Sequence, residues 1–484
     1  MDQELIQIQP PQHGVSPCAG ECGAAKSRPE DSATMQGTSL EGHESGATAK
    51  TFYIETFGCQ MNVHDSEKVA GALFAKGYRA VDRHEDANLV LYNTCSIREK
   101  AAQKVFSRLG AFKKGHNGSQ RIGVLGCVAQ QEGERIFERA PQVNLVCGSA
   151  SYSRISELID RLEGGERRVT GLSLDTDQCF ETEITRRDHP FRAYITIIEG
   201  CNKACTYCVV PMTRGPERSR PSDKILAEAR RLVDQGYTEV QLLGQTVNSY
   251  RDPSPARLSF SELLVQVAEV AGLRRLRFTT SHPSEFTPEI VRAIESCPIL
   301  CNHIHLPVQC GSNRVLTRMQ RTYTREDYLE KIGCIQSAKR DISISTDIIV
   351  GFCGETQEDF EQTLQLLDEV EYDQDFSFKY SVRPNTAAGG MEDSVPEEEK
   401  GRRLASLQER QRQIQWCRNQ QRVGQNLEVL TEGFHPKLNQ SVGRTTSNQV
   451  INFPGEAGWT GSYLQVRITS AGPHSLVGVR ADLN

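Results

Sequence analysis

Three cysteines spaced Cys201-x3-Cys205-x2-Cys208 follow directly on the apolar run Ala193-Tyr-Ile-Thr-Ile-Ile198. A strand therefore delivers three thiols into one short loop. This spacing is an iron–sulfur signature: a four-iron cubane takes one thiolate at each iron that the protein holds, so three close cysteines leave one iron without a protein ligand. A structural zinc site wants a fourth Cys or His, and the nearest candidates, Cys179 and His189, lie upstream across the strand. Zinc is the alternative reading of the same thiols.

The 484 residues suffice for two or three domains, and 37% hydrophobic with 24% charged residues is the balance of an ordinary globular protein. Sixteen cysteines without a secretory signal point to a reducing compartment, in which thiols serve as ligands rather than disulfides. The opening Met1-Asp-Gln-Glu-Leu-Ile-Gln7 has neither a basic head nor an apolar stretch. No run approaches the ~18 apolar residues of a membrane span, so a cytoplasmic protein with no membrane partner is expected. The net charge of −6 gives no global attraction for nucleic acid, which would need local basic patches.

Residues 1–50 are rich in Gly, Ser, Glu, Ala and Pro without apolar periodicity, and are expected to be a disordered tail in which Cys18 and Cys22 lack a scaffold. From Thr51 to about residue 170, short apolar runs alternate with helical patterns, predicting a parallel α/β domain. Its strands are predicted over Thr51–Thr56, Asn88–Tyr92, Ile122–Leu125 and Val143–Val146. Cys59, Cys95 and Cys127 each come just after one of the first three. Carboxyl ends of parallel strands meet at one edge of an open sheet, where ligands bind, so these cysteines should converge into a second cluster site. Three unrelated core cysteines are the plainer option, but equal placement in three successive turns favours convergence.

A polar linker is predicted over 171–190, followed by six strand–helix units and a trailing helix over 191–422. Such units predict a partial (β/α)6 barrel with its active site at the carboxyl ends of the strands. Turns at that face make Gly244, Gln245, Asn248, Ser281 and Gln309 candidate cofactor or substrate contacts, although glycine-bearing turns often serve only the backbone. Asp347 joins them because a carboxylate inside the apolar run Ile342–Val350 is costly unless paired or functional. The helical stretch Glu397–Gln421 carries a series of arginines that reads as a solvated face or, more sharply, as an RNA-facing stripe. Residues 423–484 read as a small OB-like β-barrel of balanced charge. All the candidate ligands lie upstream of it, so its removal should weaken RNA binding and leave cluster assembly intact.

The cysteine loop resembles that of the radical S-adenosylmethionine (SAM) superfamily, and the order of the three parts resembles the methylthiotransferases, whose end module is called TRAM. The run TFGCQMNVHDSE at 56–67 is similar to the branch acting on N(6)-dimethylallyladenosine in tRNA; other branches are closer to GCPKN or GCKVN there. EGCNKACTYCVVP, LLGQTVNSY, RFTTSHP, TDIIVGFCGETQEDF and GRTTSNQVINFPG add to the likeness. Met212, Cys310, Cys353 and Asn385 depart from the family pattern, which puts none of the six cluster cysteines in doubt.

The resemblance implies two [4Fe-4S] clusters and SAM. The one on Cys201, Cys205 and Cys208 would cleave SAM, and the auxiliary one on Cys59, Cys95 and Cys127 would hold or supply sulfur. The implied product is 2-methylthio-N(6)-dimethylallyladenosine at position 37 of tRNA. Implied partners are the tRNA anticodon stem-loop, an electron donor, and a sulfur or cluster-assembly source, with the chain acting as a monomer. The alternatives are a methylthiotransferase for threonylcarbamoyladenosine or a non-catalytic RNA-binding metalloprotein.

Overall fold

A computed structural model describes residues 33–34, 50–95, 99–112, 120–174, 187 and 189–481. Cys18, Cys22, Cys179 and most of the tail and linker lie outside the described residues.

The N-terminal sheet contains Thr51–Phe57, Leu89–Thr94, Arg121–Gly126, Leu145–Cys147 and Val169–Gly171, adjacent in that order and parallel. Its strands are apolar on both faces, as helix-covered parallel sheets require. Phe52, Ile54, Leu89 and Leu91 pack with Val69 and Leu73 of the helix Gln60–Ala75 and with Leu158 and Leu162 of Ile155–Glu163. The alternate residues Tyr53, Val90 and Tyr92 pack with Val105 and Leu109 of Glu99–Phe112 on the other side. Arg79–Ala80 adds to the outer edge. So does Ala33–Thr34, antiparallel, so this part of the expected disordered tail is a strand. Both pieces, like Val169–Gly171, are too short and mixed in polarity to show a period of two.

In the central domain, Arg192–Thr196, Glu239–Leu243 and Arg275–Phe278 form one parallel sheet, and His303–His305, Ser343–Val350 and Gln374–Lys379 a second. A bridge between Leu276 and Leu300 joins them, so the strands follow chain order around an open six-unit barrel. Ala193, Ile195, Val240, Leu276, Ile304, Ile344 and Ile348 face the surrounding helices, packing with Leu263, Ile290, Ile332 and Leu366. By the alternation of the pleat, their neighbours Arg192, Glu239, Arg277, His305 and Asp347 face the lumen. Ser259, Thr324 and Thr356 start three of the helices with reciprocal side-chain caps, a signal written in the S/T-x-x-E/D spacing.

The helix Glu397–Gln420 packs on the last barrel strand. Its arginines are paired: Arg402 and Arg403 with Glu399, Arg403 also with Glu355, Arg410 with Asp368, Arg412 with Glu409 and Arg418 with Asp373. Arg422, just beyond it, pairs with Asp341. Arg402, Arg410 and Arg412 remain about half exposed in these pairs, which is the solvated face of the sequence reading.

Asn426–His435, Gln440–Arg444, Val450–Pro454, Tyr463–Ala471 and Leu476–Arg480 close into a barrel around Val429, Ile451, Phe453, Val466 and Ile468. It sits against the amino-terminal ends of the first three central strands. Arg192 Nη1 donates to Glu432 Oε1 at 2.9 Å, Arg275 Nη1 to the Arg444 carbonyl at 2.7 Å and Arg277 Nη2 to the Thr445 carbonyl at 2.6 Å. The end module is thus the floor of the central barrel rather than a detachable appendage. Among the described residues no helix is long and apolar enough to cross a membrane.

Candidate functional site

Cys59, Cys95 and Cys127 stand at the carboxyl ends of three adjacent strands, and the structure brings them together. Gly58 makes this approach possible: at φ +138° its missing side chain leaves room for Cys95, whose Cβ would lie 2.5 Å from any Cβ added there. The thiols form a hydrogen-bonded row, Cys59 to Cys95 to Cys127. Hydrogen bonding with Cys127 and Cys59, together with burial, raises the Cys95 thiol well above the usual range. The outer two are lowered by that hydrogen bond and by the Arg214 guanidinium, Cys59 to about 6 and Cys127 well below its ordinary value.

A polar layer supports this row. Asn93 Nδ2 donates to the Asn62 carbonyl and to Ser66 Oγ, both at 2.8 Å, and Tyr152 Oη donates to Asn93 Oδ1 at 3.2 Å. Asp65 accepts from Arg214 at 2.6 Å, and Lys68 meets Glu199 at 3.5 Å. The polar residues that follow Cys59 are therefore buried against the central domain, although a helix so rich in them reads as a surface.

Cys201, Cys205 and Cys208 occupy the loop after the first barrel strand, all partly exposed. Gly200, at φ +74°, precedes them where any Cβ would overlap the Pro216 carbonyl. Lys203 N donates to Cys201 Sγ at 3.4 Å, Cys208 N to the Cys205 carbonyl at 3.1 Å, and Arg321 Nη1 to Cys205 Sγ at 3.3 Å. Burial pushes the Cys208 thiol up to about 12.

Each triplet supplies the soft donors, on closely approaching backbone, that an iron–sulfur cubane needs. No three His, Cys, Asp or Glu side chains among the described residues form a single-ion site; a cubane instead places its thiolates on separate irons. The zinc alternative loses His189, which packs on Phe191 near Glu432, at the opposite end of the strand from the cysteine loop. None of the described cysteines is in a disulfide. Cys310 and Cys353 point into the core, beside Thr363 Oγ1 at 3.4 Å and the Ala388 carbonyl at 3.9 Å.

The remaining candidates divide. Gly244 is needed for close packing, since a Cβ there would strike Ile198. Asn248 ties two turns together, donating to the His282 carbonyl at 2.9 Å and accepting from His282 N at 2.8 Å. Gln309 joins the sheet through its backbone, its N–H donating to the Asp347 carbonyl at 2.9 Å. Asp347 stands half-exposed with His305 Nε2 at 3.6 Å. Gln245 Oε1 and Ser281 Oγ are buried without a partner, as are Thr196 Oγ1 and Ser249 Oγ. These four atoms lie at the carboxyl ends of the first three strands, where a polar cofactor can satisfy them. Arg214 and Arg321 are the functional neighbours that sequence reasoning missed. The only local hint is that Arg214 lies in the run VVPMTRG that starts just after Cys208.

An open βα barrel with a three-cysteine loop at its mouth, flanked by a cysteine-bearing parallel sheet and a small β-barrel, defines a class. Residues 195–367 match the radical SAM superfamily, 51–148 the uncharacterized protein family UPF0004 and 420–479 the TRAM domain. The chain belongs to the tRNA-2-methylthio-N(6)-dimethylallyladenosine synthase family. It is 62% identical to a protein of that name from Solibacter usitatus, over 90% of this chain and 99% of the relative. A second relative of the same name, from Koribacter versatilis, is 57% identical over 89% and 98%. The radical S-adenosylmethionine methyltransferase TsrM from Kitasatospora setae, solved with cobalamin and a [4Fe-4S] cluster, shares the fold at a TM-score of 0.51 and 14% identity, covering 68% of this chain and 71% of that one.

Proposed function

We propose that this chain is a radical SAM methylthiotransferase that converts N(6)-dimethylallyladenosine at position 37 of tRNA to its 2-methylthio derivative. The observation that carries this reading is the pair of thiol triplets at the carboxyl ends of neighbouring parallel sheets, with Arg214 of the central domain reaching across to Cys59 and Cys127. Cys201, Cys205 and Cys208 would hold one [4Fe-4S] cluster, and Cys59, Cys95 and Cys127 the other. When bound, the clusters and SAM supply reductive cleavage of a sulfonium together with the sulfur and methyl group that end on C2.

The chain's own part is placement. Gln245 and Ser281 offer SAM the unpaired polar atoms described above, while Gly244, Asn248 and Gln309 shape the turns that carry them. His305 and Asp347 present a polar pair to a base entering the lumen. A flexible anticodon-loop base can be splayed into a barrel mouth more readily than a stacked duplex base. The dimethylallyl group adds burial on the order of a few kcal/mol in an apolar pocket, at about 0.8 kcal/mol per CH₂. We assign the tail to 1–50, the sheet domain to 51–170, the linker to 171–190, the radical SAM core to 191–422 and TRAM to 423–484. The protein is assigned to the cytoplasm as a monomer that meets the tRNA anticodon stem-loop, an electron donor and a sulfur or cluster-assembly source.

The test is a competition among identical tRNA bodies carrying dimethylallyladenosine, adenosine or threonylcarbamoyladenosine, read by nucleoside mass spectrometry. The dimethylallyl form should be methylthiolated much faster. Threonylcarbamoyl should be poor, because its carboxylate would have to be desolvated. Preference for threonylcarbamoyl would move the chain to the other branch, and no product on any tRNA would leave an RNA-binding metalloprotein.

A further inference from the structure

The Arg321 guanidinium is pinned at three points. Nη1 donates to Cys205 Sγ at 3.3 Å, Nη2 to the Pro307 carbonyl at 3.1 Å and Nε to Tyr323 Oη at 2.9 Å. Tyr323 Oη in turn donates to the Val308 carbonyl at 2.8 Å, so the turn after His303–His305 fixes the fork. The backbones are tied as well. Thr206 N donates to the Met319 carbonyl and Thr206 Oγ1 to the Arg318 carbonyl, both at 3.0 Å. The loop bearing Cys205 and the segment bearing Arg321 therefore move as one unit. A guanidinium keeps its charge at any working pH and has only donors to offer, so its contact with the sulfur is a fixed positive charge and an N–H···S hydrogen bond.

The other triplet provides the contrast. Arg214 beside Cys59 and Cys127 shares its charge with Asp65 at 2.6 Å. The Arg321 fork contacts a sulfur, a carbonyl and a phenol, with no carboxylate among them. Among the described residues no acidic side chain pairs with it.

We propose that Arg321 is a positioning residue that raises the reduction potential of the cluster held by Cys201, Cys205 and Cys208. The inference rests on the cluster assignment above. One electron enters that cluster from a low-potential reductant and no bond is made or broken in the step. The reduced cluster carries one more negative charge than the oxidised one, so a fixed cation and a hydrogen bond at a ligand sulfur stabilise it preferentially. Arg321 thereby makes the electron transfer into the cluster that precedes SAM cleavage more favourable.

The experiment is a mediated redox titration followed by electron paramagnetic resonance, on reconstituted protein carrying Cys95→Ala so that the barrel cluster titrates alone. Arg321→Gln should fall by at least 59 mV, which is a tenfold lower ratio of reduced to oxidised cluster at a fixed poise for one electron. Arg321→Lys, which keeps the charge but loses the fork, should lie between Gln and the parent. Equal midpoints in all three at equal iron content would overturn the proposal and leave Arg321 a purely structural clamp. If the Gln variant holds no iron, the Lys variant decides: a midpoint below the parent supports the proposal, and an unchanged one overturns it. A Cys95→Ala parent that itself binds no iron would instead refute the cluster assignment.

Discussion

Arg214 and Asp65, 149 positions apart, form an ion pair of 2.6 Å that joins the central domain to the N-terminal sheet domain. Both side chains are almost wholly excluded from solvent, at 6% and 2% exposure. The same guanidinium lowers the thiols of Cys59 and Cys127. Arg214 thus takes part both in domain docking and in the electrostatics of one sulfur site.

Removing that side chain leaves the Asp65 carboxylate buried and unpaired. Arg214→Ala should lower the unfolding free energy by about 3–5 kcal/mol, the usual result of breaking one side of a buried pair. Adding Asp65→Asn should recover part of it. Denaturant titration of both variants checks this; a loss below ~1 kcal/mol for Arg214→Ala would mean that water reaches the pair.

The contact between the end module and the barrel floor makes a second expectation sharp. Truncation at about residue 423 strips partners from Arg192, Arg275 and Arg277, which are otherwise largely buried. The truncated protein should melt well below the full chain and load less iron, in addition to binding tRNA weakly. A truncated chain with unchanged melting temperature and iron content would restore the picture of a separable RNA module.

How far these features could be read from the sequence depends on how local their signals are. The cysteine loop and the three βα-turn cysteines were legible because each rests on a strand followed at once by a thiol, and parallel sheets put strand ends at one edge. The six-unit barrel was legible for the same reason, from runs such as Glu239–Leu243. The pairings of Arg214, Arg277 and Arg321 were not, because their partners lie 149, 168 and 116 positions away and leave no periodic trace. The arginines of the trailing helix read correctly as a solvated face, but composition cannot show which acidic side chains they pair with. For Gly244 and Asn248 the sequence shows only that they lie in turns at the strand ends, and not the packing on Ile198 or the hydrogen bond to His282 that hold those turns in place.

Acid should destabilise the protein through its buried histidines. Burial lowers His64 and His303 well below the ordinary histidine range and His282 to about 2. Folded, these rings stay neutral; unfolded, they take up protons below about pH 6.5. Their contribution is therefore complete above that pH and is lost as pH falls below it, at about 1.4 kcal/mol per pH unit for each ring. Because the slope is still rising through pH 6.5, each ring loses about 1 kcal/mol between pH 6.5 and 5.5, and three rings about 3 kcal/mol. Denaturant midpoints across that range measure it, and His282→Gln should reduce the slope by about one third.

The central claim is that two separate cysteine triplets hold two clusters with different tasks. Its most direct test is to measure iron, 5′-deoxyadenosine and methylthiolated nucleoside side by side in the anaerobically reconstituted protein and in Cys205→Ala and Cys95→Ala variants. The parent should carry roughly eight irons and each variant roughly four. Cys205→Ala should form no 5′-deoxyadenosine, while Cys95→Ala should still form it and yield no methylthiolated base. Full iron content in both variants, or a Cys95→Ala protein that still inserts sulfur into tRNA, would contradict the account.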